Sequence, residues 1–281
     1  MTDRRLLAAN GRVAHIALRG AVTARRFVAP VRRLVAVPVA DLLAAPDGAR
    51  DRQLLFGEAF DVLEIDRGHA FGLAPRDGYV GYVAAGALTD AAAPTHRVAA
   101  RATHVYTAPD IKTGEIATLS LGSRVAVADD GAPLARLATG GFVPAVHLAP
   151  LDRPEPDPVA VAERLLGTPY LWGGNSAFGI DCSGLVQIAA LACGLPCPGD
   201  SDLQAAALGT ATPRDAPYAR GDLVFWQGHV AIVAEPDRLV HANAHRMAVA
   251  VEGLGAAIAR IADQGGGPPT GRGRLAGRPR G

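Results

Sequence analysis

Two stretches of the chain repeat the same order of short apolar runs and turns. An Ala-Pro-Asp turn at 45–47 returns at 108–110, and each copy continues through a glycine-bearing run, LLFGEAFDVLE in the first and LSLGSRVAVAD in the second. Each copy closes on a glycine-aromatic-valine strand, at 81–83 and at 141–143. Short alternating strands separated by turn residues at this spacing are typical of small β-barrels. The repeat therefore predicts two small β domains, at residues 34–92 and 93–150, preceded by an arginine-rich arm at 1–33.

A proline-rich segment follows the second copy. The run PLDRPEPDP at 150–158 holds four prolines, and such spacers are stiff and extended. We therefore expect residues 151–158 to be a linker and residues 159–262 to form a separate domain. The glycine-, proline- and arginine-rich composition of residues 263–281 predicts a flexible tail.

The composition excludes several broad classes of protein. Apolar residues make up 49% of the chain and charged residues 20%, as in ordinary globular proteins. The formal net charge of +1 argues against a chain-wide surface for nucleic acid or for membranes. We see no secretory signal and no apolar run of about 18 residues. Three cysteines, an odd number, argue against a disulfide framework. We therefore expect a cytoplasmic protein with reduced thiols and without nucleic-acid or membrane partners.

The segment around Cys182 carries the first chemical signal. Asp181 is a favoured helix N-cap residue, and the pattern CSGLVQIAALACGL that follows it is helical. Cys182 is thus expected in the first helical turn, where the helix dipole favours the thiolate. A lone cysteine in this setting is more often a buried structural residue than a nucleophile, and this segment alone leaves both interpretations open.

Two histidines downstream favour the catalytic interpretation. The sequence predicts strands at 223–226, 229–234 and 238–242, with a Pro-Asp turn between the last two. His229 and His241 can therefore lie side by side in a hairpin. A cysteine, a nearby histidine base and a second polar group that orients the base form a nucleophilic triad. Zinc bound by Cys182, His229 and His241 is the alternative, but the usual closely spaced ligand pairs are missing. We expect no metal and no organic cofactor.

Taken together, these motifs resemble the NlpC-type family of papain-like cell-wall endopeptidases. The resemblance rests on TPYLWGGNSAFGIDCSGLVQ, on GDLVFWQGHVAIV and on the first histidine of HANAH. With two domains similar to bacterial SH3 domains ahead of it, the chain resembles a narrower group, the γ-D-glutamyl-L-diamino acid endopeptidases of the dipeptidyl-peptidase VI type. The resemblance implies an α+β fold, in which a papain-like domain with helices packed on an antiparallel sheet follows two SH3-like β-barrels.

The resemblance also implies an activity and a set of site residues. The activity is hydrolysis of the γ-D-glutamyl–diamino acid bond in murein tri- or tetrapeptides with a free N-terminal L-Ala, for recycling of cell-wall peptides. Cys182 becomes the nucleophile, His229 the general base and His241 the residue that orients it, while the Tyr170 hydroxyl helps to hold the oxyanion. The implied substrate contacts are Trp172, Asp181, Ser183, Asp200, Ser201 and, from the first SH3-like domain, Glu58 and Tyr79.

Some of these assignments have alternatives. Glu58 is expected to pair with the α-ammonium of the substrate, although a solvated turn residue is the other interpretation, and Tyr79 can equally be a packing residue of the barrel. Gly199 stands where the family has an arginine. Two further functions stay open, a hydrolase that acts on intact peptidoglycan and a non-catalytic module that binds wall peptides. The sequence does not distinguish diaminopimelate from lysine as the diamino acid, and it does not specify an oligomeric state.

Overall fold

The computed structural model describes residues 3–131, 133–210 and 216–275. The chain divides into two compact units, Met1–Ala149 and Pro150–Gly281. The boundary between them falls at the start of the proline-rich segment.

The N-terminal segment packs on the β structure that follows it. Strands β1 (Val13–His15) and β2 (Arg26–Val28) pair in parallel. Ala8 and Val13 are buried in a cluster with apolar side chains of the next strands. Burial of these side chains ties the segment to the unit, since each buried aliphatic side chain contributes about 1.5–3 kcal/mol.

The first β unit is an antiparallel sheet with the strand order β5–β4–β8–β7–β6–β3–β9. In β4 the side chains alternate, with Ala40 and Leu42 buried and Asp41 exposed between them, as a sheet with one buried face requires. Leu42, Leu54 and Phe60 are fully buried in its core. The strands are β3 (Val31–Val35), β4 (Val39–Leu43), β5 (Arg50–Leu55), β6 (Ala59–Asp66), β7 (His69–Ala74), β8 (Tyr79–Ala84) and β9 (Leu88–Thr89).

The second β unit is built from shorter strands in two sheets, with the orders β12–β11–β16–β15–β14 and β13–β10–β17. Its core contains Val105, Leu119, Leu137 and Val143. The strands are β10 (His96–Val98), β11 (Ala102–Tyr106), β12 (Glu115–Ser120), β13 (Arg124–Val125), β14 (Val127–Asp129), β15 (Leu134–Leu137), β16 (Phe142–Pro144) and β17 (Leu148–Pro150).

A close backbone approach joins these two β units. The amide of Arg124 donates to the carbonyl of Phe56 over 2.7 Å, and the Phe56 ring packs against the second core. Gly57 adopts a φ of +73°, and a Cβ at this position would lie 1.9 Å from the carbonyl oxygen of Arg124. Only glycine fits such a contact in this conformation, so this position fixes how the two β units pack.

The C-terminal unit combines helices with an antiparallel sheet of order β20–β25–β21–β22–β23–β24. Helix α2 packs against α1 and against β22 and β23, while α4 covers apolar side chains of β21, β22 and β23. The three strands predicted around the histidines are present. The helices are α1 (Pro158–Glu163), α2 (Cys182–Ala192), α3 (Ser201–Leu208) and α4 (Leu254–Ile261). The strands are β18 (Asn175–Ser176), β19 (Gly179–Ile180), β20 (Gly209–Thr210), β21 (Asp222–Trp226), β22 (His229–Glu235), β23 (Arg238–Asn243), β24 (Ala248–Gly253) and β25 (Gly271–Arg274).

The structure differs from the flexible tail predicted at 263–281. Strand β25 (Gly271–Arg274) pairs with β20 and β21 inside the main sheet. The buried carboxylate of Asp222 accepts hydrogen bonds from Arg272 over 2.9 Å and from Arg274 over 2.6 Å. A buried carboxylate needs such partners, and this requirement holds an arginine-rich stretch in place that its composition assigns to solvent. Residues 276–281 of the predicted tail lie outside the described residues.

The structure also bears on disulfide bonding and on membrane-spanning helices. Cys182, Cys193 and Cys197, all within the described ranges, form no disulfide bond and are buried. Within the described ranges, every helix is too short or too polar to cross a membrane.

Candidate active site

Cys182 is the first residue of α2, and Asp181 caps the helix. The Asp181 carboxylate accepts hydrogen bonds from the Gly184 amide over 2.6 Å, from the Ser183 hydroxyl over 3.0 Å and from the Gly173 amide over 3.0 Å. One buried side chain thus fixes both the first helical turn and the loop that precedes it. Cys182 lies at the positive end of the helix dipole, which favours the thiolate.

Glycine is required where the loop crosses the helix start. A Cβ on Gly184 would lie 2.4 Å from the carbonyl oxygen of Gly174. The short β18–β19 hairpin that precedes the helix is anchored by Asn175, whose amide donates to the Gln187 side chain over 3.0 Å. The glycines and polar residues around Cys182 thus form a rigid frame about the thiol.

Tyr170 lies in an extended segment next to this frame. The segment forms isolated bridges with Ala248 of β24 and with Ile180 of β19, and the Tyr170 amide donates to the Met247 carbonyl over 2.9 Å. Burial raises the pKa of the Tyr170 phenol, and the nearby Cys182 and Asp181 raise it further. The phenol therefore keeps its proton at neutral pH and can donate a hydrogen bond close to Cys182.

His229 and His241 form a hydrogen-bonded pair. The Nε2 atom of His229 and the Nδ1 atom of His241 are 2.9 Å apart, and the ring centroids are 5.2 Å apart. His241 is fully buried on β23, whereas His229, the first residue of β22, is half-buried. Burial lowers the pKa of His229 to about 3 and that of His241 to about 4. Both rings are therefore neutral at pH 7.

The pair continues into two residues that the sequence analysis did not identify. Glu252 Oε2 lies 3.1 Å from His241 Nε2, and the Arg260 guanidinium binds the same carboxylate over 2.7 and 2.9 Å. Register explains the first contact, because His241 pairs with Ala250 and Glu252 lies two residues further on the same face of β24. A single acidic residue ending the otherwise apolar run AVAVE was the available signal.

Most of the other residues expected at the site in this unit lie at the starts of α2 and α3. Asp181 and Ser183 form the cap of α2, and Trp172 is 71% exposed. Asp200 is the N-cap residue of α3, and Ser201 is the first residue of that helix. Gln204 of α3 donates to the Ser183 carbonyl over 2.9 Å, which holds α3 against the start of α2.

Glu58 and Tyr79 belong to the N-terminal unit and are buried there. Glu58 Oε2 accepts hydrogen bonds from the Leu55 amide over 2.8 Å and from Arg76 over 2.5 Å. Tyr79 is 2% exposed and packs in the core of the first β unit. Glu58 is therefore not a solvated turn residue, since it forms a buried ion pair.

A zinc site requires three or four ligands gathered around one point. In residues 3–131, 133–210 and 216–275, His, Cys, Asp and Glu side chains form no group of three or more that could hold a metal ion.

Two family models match the chain. Residues 42–88 match the bacterial dipeptidyl-peptidase SH3 domain, and residues 167–258 match the NlpC/P60 family. The second match includes Cys182, His229, His241 and Glu252.

Curated relatives align with parts of the chain. A γ-D-glutamyl-L-lysine dipeptidyl-peptidase of Bacillus subtilis (strain 168) is 44% identical over 70 residues, which is 25% of this chain and 23% of the relative. Dipeptidyl-peptidase 6 of Lysinibacillus sphaericus is 38% identical over 85 residues, which is 30% of this chain and 31% of the relative. The chain thus matches less than a third of the length of either relative.

A solved structure matches most of the chain. An NlpC/P60 family protein from Bacillus cereus superposes with a TM-score of 0.72 at 19% identity, covering 87% of this chain and 99% of that one. This likeness concerns the fold. The predicted fold class is confirmed for the papain-like domain and for an SH3-type domain at the N-terminus. A second SH3-like domain at 93–150 stays a prediction.

Proposed function

Since the chain carries an NlpC/P60 domain behind a bacterial dipeptidyl-peptidase SH3 domain, we propose that it is a cysteine peptidase for the γ-D-glutamyl–diamino acid bond of murein tri- or tetrapeptides. The observation that carries the proposal is the capped start of α2 with Cys182 in its first turn, in the same domain as the His229–His241 pair. The name of the Bacillus subtilis relative, a γ-D-glutamyl-L-lysine dipeptidyl-peptidase, supports the choice of bond.

The proposed reaction is acyl transfer in two steps. The neutral His229 ring takes the proton of the Cys182 thiol, and the resulting thiolate attacks the γ-carbonyl carbon of D-Glu, so that a carbon–sulfur bond forms and the carbonyl π electrons move to oxygen. The backbone amide of Cys182 and the Tyr170 hydroxyl donate to this oxyanion. When the oxyanion collapses, the C–N bond breaks and His229 gives its proton to the departing amine. Water, deprotonated by His229, then attacks the thioester carbonyl. The carbon–sulfur bond breaks, and the departing thiolate takes the proton back from His229.

Glu58 is proposed to select a free N-terminal ammonium. Both hydrogen bonds from Leu55 and Arg76 reach its Oε2 atom, and its Oε1 atom takes part in neither. Arg76 already pairs with this carboxylate, and a free ammonium would add a second positive partner that an acylated N-terminus cannot supply. Tyr79 is the proposed neighbour of this contact. Further proposed substrate contacts are Trp172, Asp181, Ser183, Asp200 and Ser201.

The cellular role follows from that selectivity. A free N-terminal L-Ala occurs on stem peptides that have been released from the glycan, so we propose recycling of such peptides in the cytoplasm. Cleavage of released peptides but not of isolated sacculi would support this role over remodelling of the intact wall.

The test is a digest followed by mass spectrometry. L-Ala-γ-D-Glu-diaminopimelate, its lysine counterpart and their N-acetyl analogues are incubated with the full chain. We expect release of L-Ala-D-Glu from the free-amine peptides alone, and the ratio of the two rates gives the diamino acid preference. Cleavage of the acetylated peptides as well would retain the peptidase and discard the role of Glu58.

Two cysteine variants assign the nucleophile. Cys182→Ala should abolish turnover, whereas Cys193→Ala, at the other end of the same helix, should retain it because Cys193 is a buried packing residue. Peptide binding with no turnover in the unmodified chain would instead support a non-catalytic binding module.

A further inference from the structure

Four ionisable side chains form a continuous hydrogen-bonded series behind the proposed base. The series runs from His229 to His241 over 2.9 Å, from His241 to Glu252 over 3.1 Å, and from Glu252 to Arg260 over 2.7 and 2.9 Å. The members come from β22, β23, β24 and α4, so the tertiary fold assembles them. The proposed reaction uses only the first two.

Which nitrogen of each histidine ring carries the proton follows from which groups in the series can donate a hydrogen bond and which can only accept one. An ionised carboxylate only accepts, and Arg260 keeps Glu252 ionised by holding its pKa below the ordinary value. His241 must therefore donate from Nε2. Since a neutral imidazole has one N–H, the Nδ1 atom of His241 carries a lone pair and accepts. His229 must then donate from Nε2, which leaves its Nδ1 atom unprotonated.

We propose that Glu252 is a positioning residue that fixes the tautomers of both histidines, so that Nδ1 of His229 is the atom that exchanges protons with the substrate. Arg260 holds the Glu252 carboxylate in place with two hydrogen bonds. The catalytic consequence rests on the proposed function, in which His229 is the base, whereas the tautomer assignment stands on the geometry alone.

The charges around the His229–His241 pair predict that loss of Glu252 and loss of Arg260 change the pKa of the pair in opposite directions. Burial and the neighbouring His241 and Arg260 lower the pKa of His229, whereas Glu252 raises it. On His241, Glu252 acts in the same upward direction, while Arg260 and the exposed His245 act downward. Removing the Glu252 charge should therefore lower the pKa of the pair further, and removing the Arg260 charge should raise it.

The first experiment observes the tautomers directly. Two-bond ¹H–¹⁵N correlation spectra of the full chain with ¹⁵N-labelled histidine report which ring nitrogen carries the proton. We expect Nε2–H for both His229 and His241. In Glu252→Gln the amide can either donate or accept, so we expect a mixture of tautomers at His241. A single unchanged tautomer at both rings in that variant would overturn the proposal, as would Nδ1–H at His229 in the unmodified chain.

The second experiment measures the consequence at Cys182. The rate of alkylation by iodoacetamide is followed from about pH 4 to about pH 9, because this rate reports the thiolate and needs no peptide substrate. Loss of the negative charge of Glu252 favours the thiolate and loss of the positive charge of Arg260 disfavours it, so the acidic limb should move to lower pH in Glu252→Gln and to higher pH in Arg260→Gln. Glu235→Gln removes an exposed carboxylate from the same sheet and should leave the profile unchanged. A shift of the Glu252→Gln and Arg260→Gln profiles in the same direction would overturn the proposal, because it would mean that both substitutions act only on folding.

Turnover separates positioning from binding. In Glu252→Gln, kcat on the peptide substrate should fall about 10²-fold with KM unchanged, because general acid–base catalysis contributes about 10²- to 10⁴-fold and Glu252 does not touch the substrate. Glu252→Asp, which keeps a carboxylate, should restore part of the loss. If the unmodified chain cleaves none of the peptides, the proposed function fails, but the spectra and the alkylation profiles still decide the role of Glu252.

Discussion

Acidification from about pH 8 to about pH 5 should selectively weaken the C-terminal unit through the fully buried His241 and the half-buried His229. In the folded chain, burial lowers the pKa of His229 to about 3 and that of His241 to about 4. In the unfolded chain both titrate near the ordinary value of about 6.5. The unfolded state therefore binds more protons as the pH falls, so the stabilising effect is complete above about pH 6.5 and is lost below it.

The size of this destabilisation follows from how far the pH lies below the ordinary pKa of histidine. At about pH 5 both folded histidines are still mostly neutral, and the pH lies about 1.5 units below the unfolded pKa. One unit corresponds to about 1.36 kcal/mol, so a fully buried histidine such as His241 accounts for about 2 kcal/mol. His229 is half-buried and contributes less, which gives about 3 kcal/mol for the pair. Ordinary carboxyl groups titrate below this range of pH.

Tryptophan fluorescence is the suitable assay, because the two tryptophans of the chain, Trp172 and Trp226, both lie in the C-terminal unit. Urea unfolding at the two pH values gives the free energy of unfolding of this unit. His241→Gln should reduce the loss of unfolding free energy between the two pH values by about 2 kcal/mol, because glutamine, unlike His241, binds no proton on unfolding. His104→Gln, at an exposed position of the N-terminal unit, should leave the loss unchanged. Equal pH dependence in His241→Gln and in the original chain would refute the reasoning.

Two further predictions concern the N-terminal unit, and urea unfolding followed by circular dichroism checks both. Gly57→Ala should lower the free energy of unfolding by about 3 kcal/mol, because its φ of +73° disfavours a side chain and its Cβ would overlap a backbone carbonyl of the second β unit. Gly68→Ala is the control. Its φ is +82° but its Cβ meets no atom within 4 Å, so it should cost only about 1 kcal/mol. Similar costs would show that the two β units separate without penalty. Glu58→Gln should cost about 3 kcal/mol, because it removes the nearer of the two carboxylates that face the buried Arg76 and leaves only Asp77 at 3.6 Å. Asp61→Asn at an exposed ion pair should cost less than about 1 kcal/mol. A small effect at Glu58 would mean that water reaches the pair.

The local features of the candidate site follow from short-range patterns in the amino-acid sequence. Asp181 before a helical pattern predicts the cap, and the structure shows its carboxylate binding the Gly184 amide. His229 and His241 lie in two predicted strands on either side of a Pro-Asp turn, and hairpin geometry then brings their rings together. In each case the partners are close along the chain, so turn and cap chemistry was sufficient to predict the contact.

Contacts between distant segments depend on how the strands and helices assemble. Glu252 reaches His241 because of the register between β23 and β24, and Arg260 reaches Glu252 from α4. Strand β25 enters the main sheet because the buried carboxylate of Asp222 binds arginines 50 and 52 residues away. Local composition assigns these arginines to solvent, whereas burial of a charge requires a partner wherever the fold can supply one. Sequence patterns specify which elements form, and the register and burial of the assembled sheet decide which charges meet.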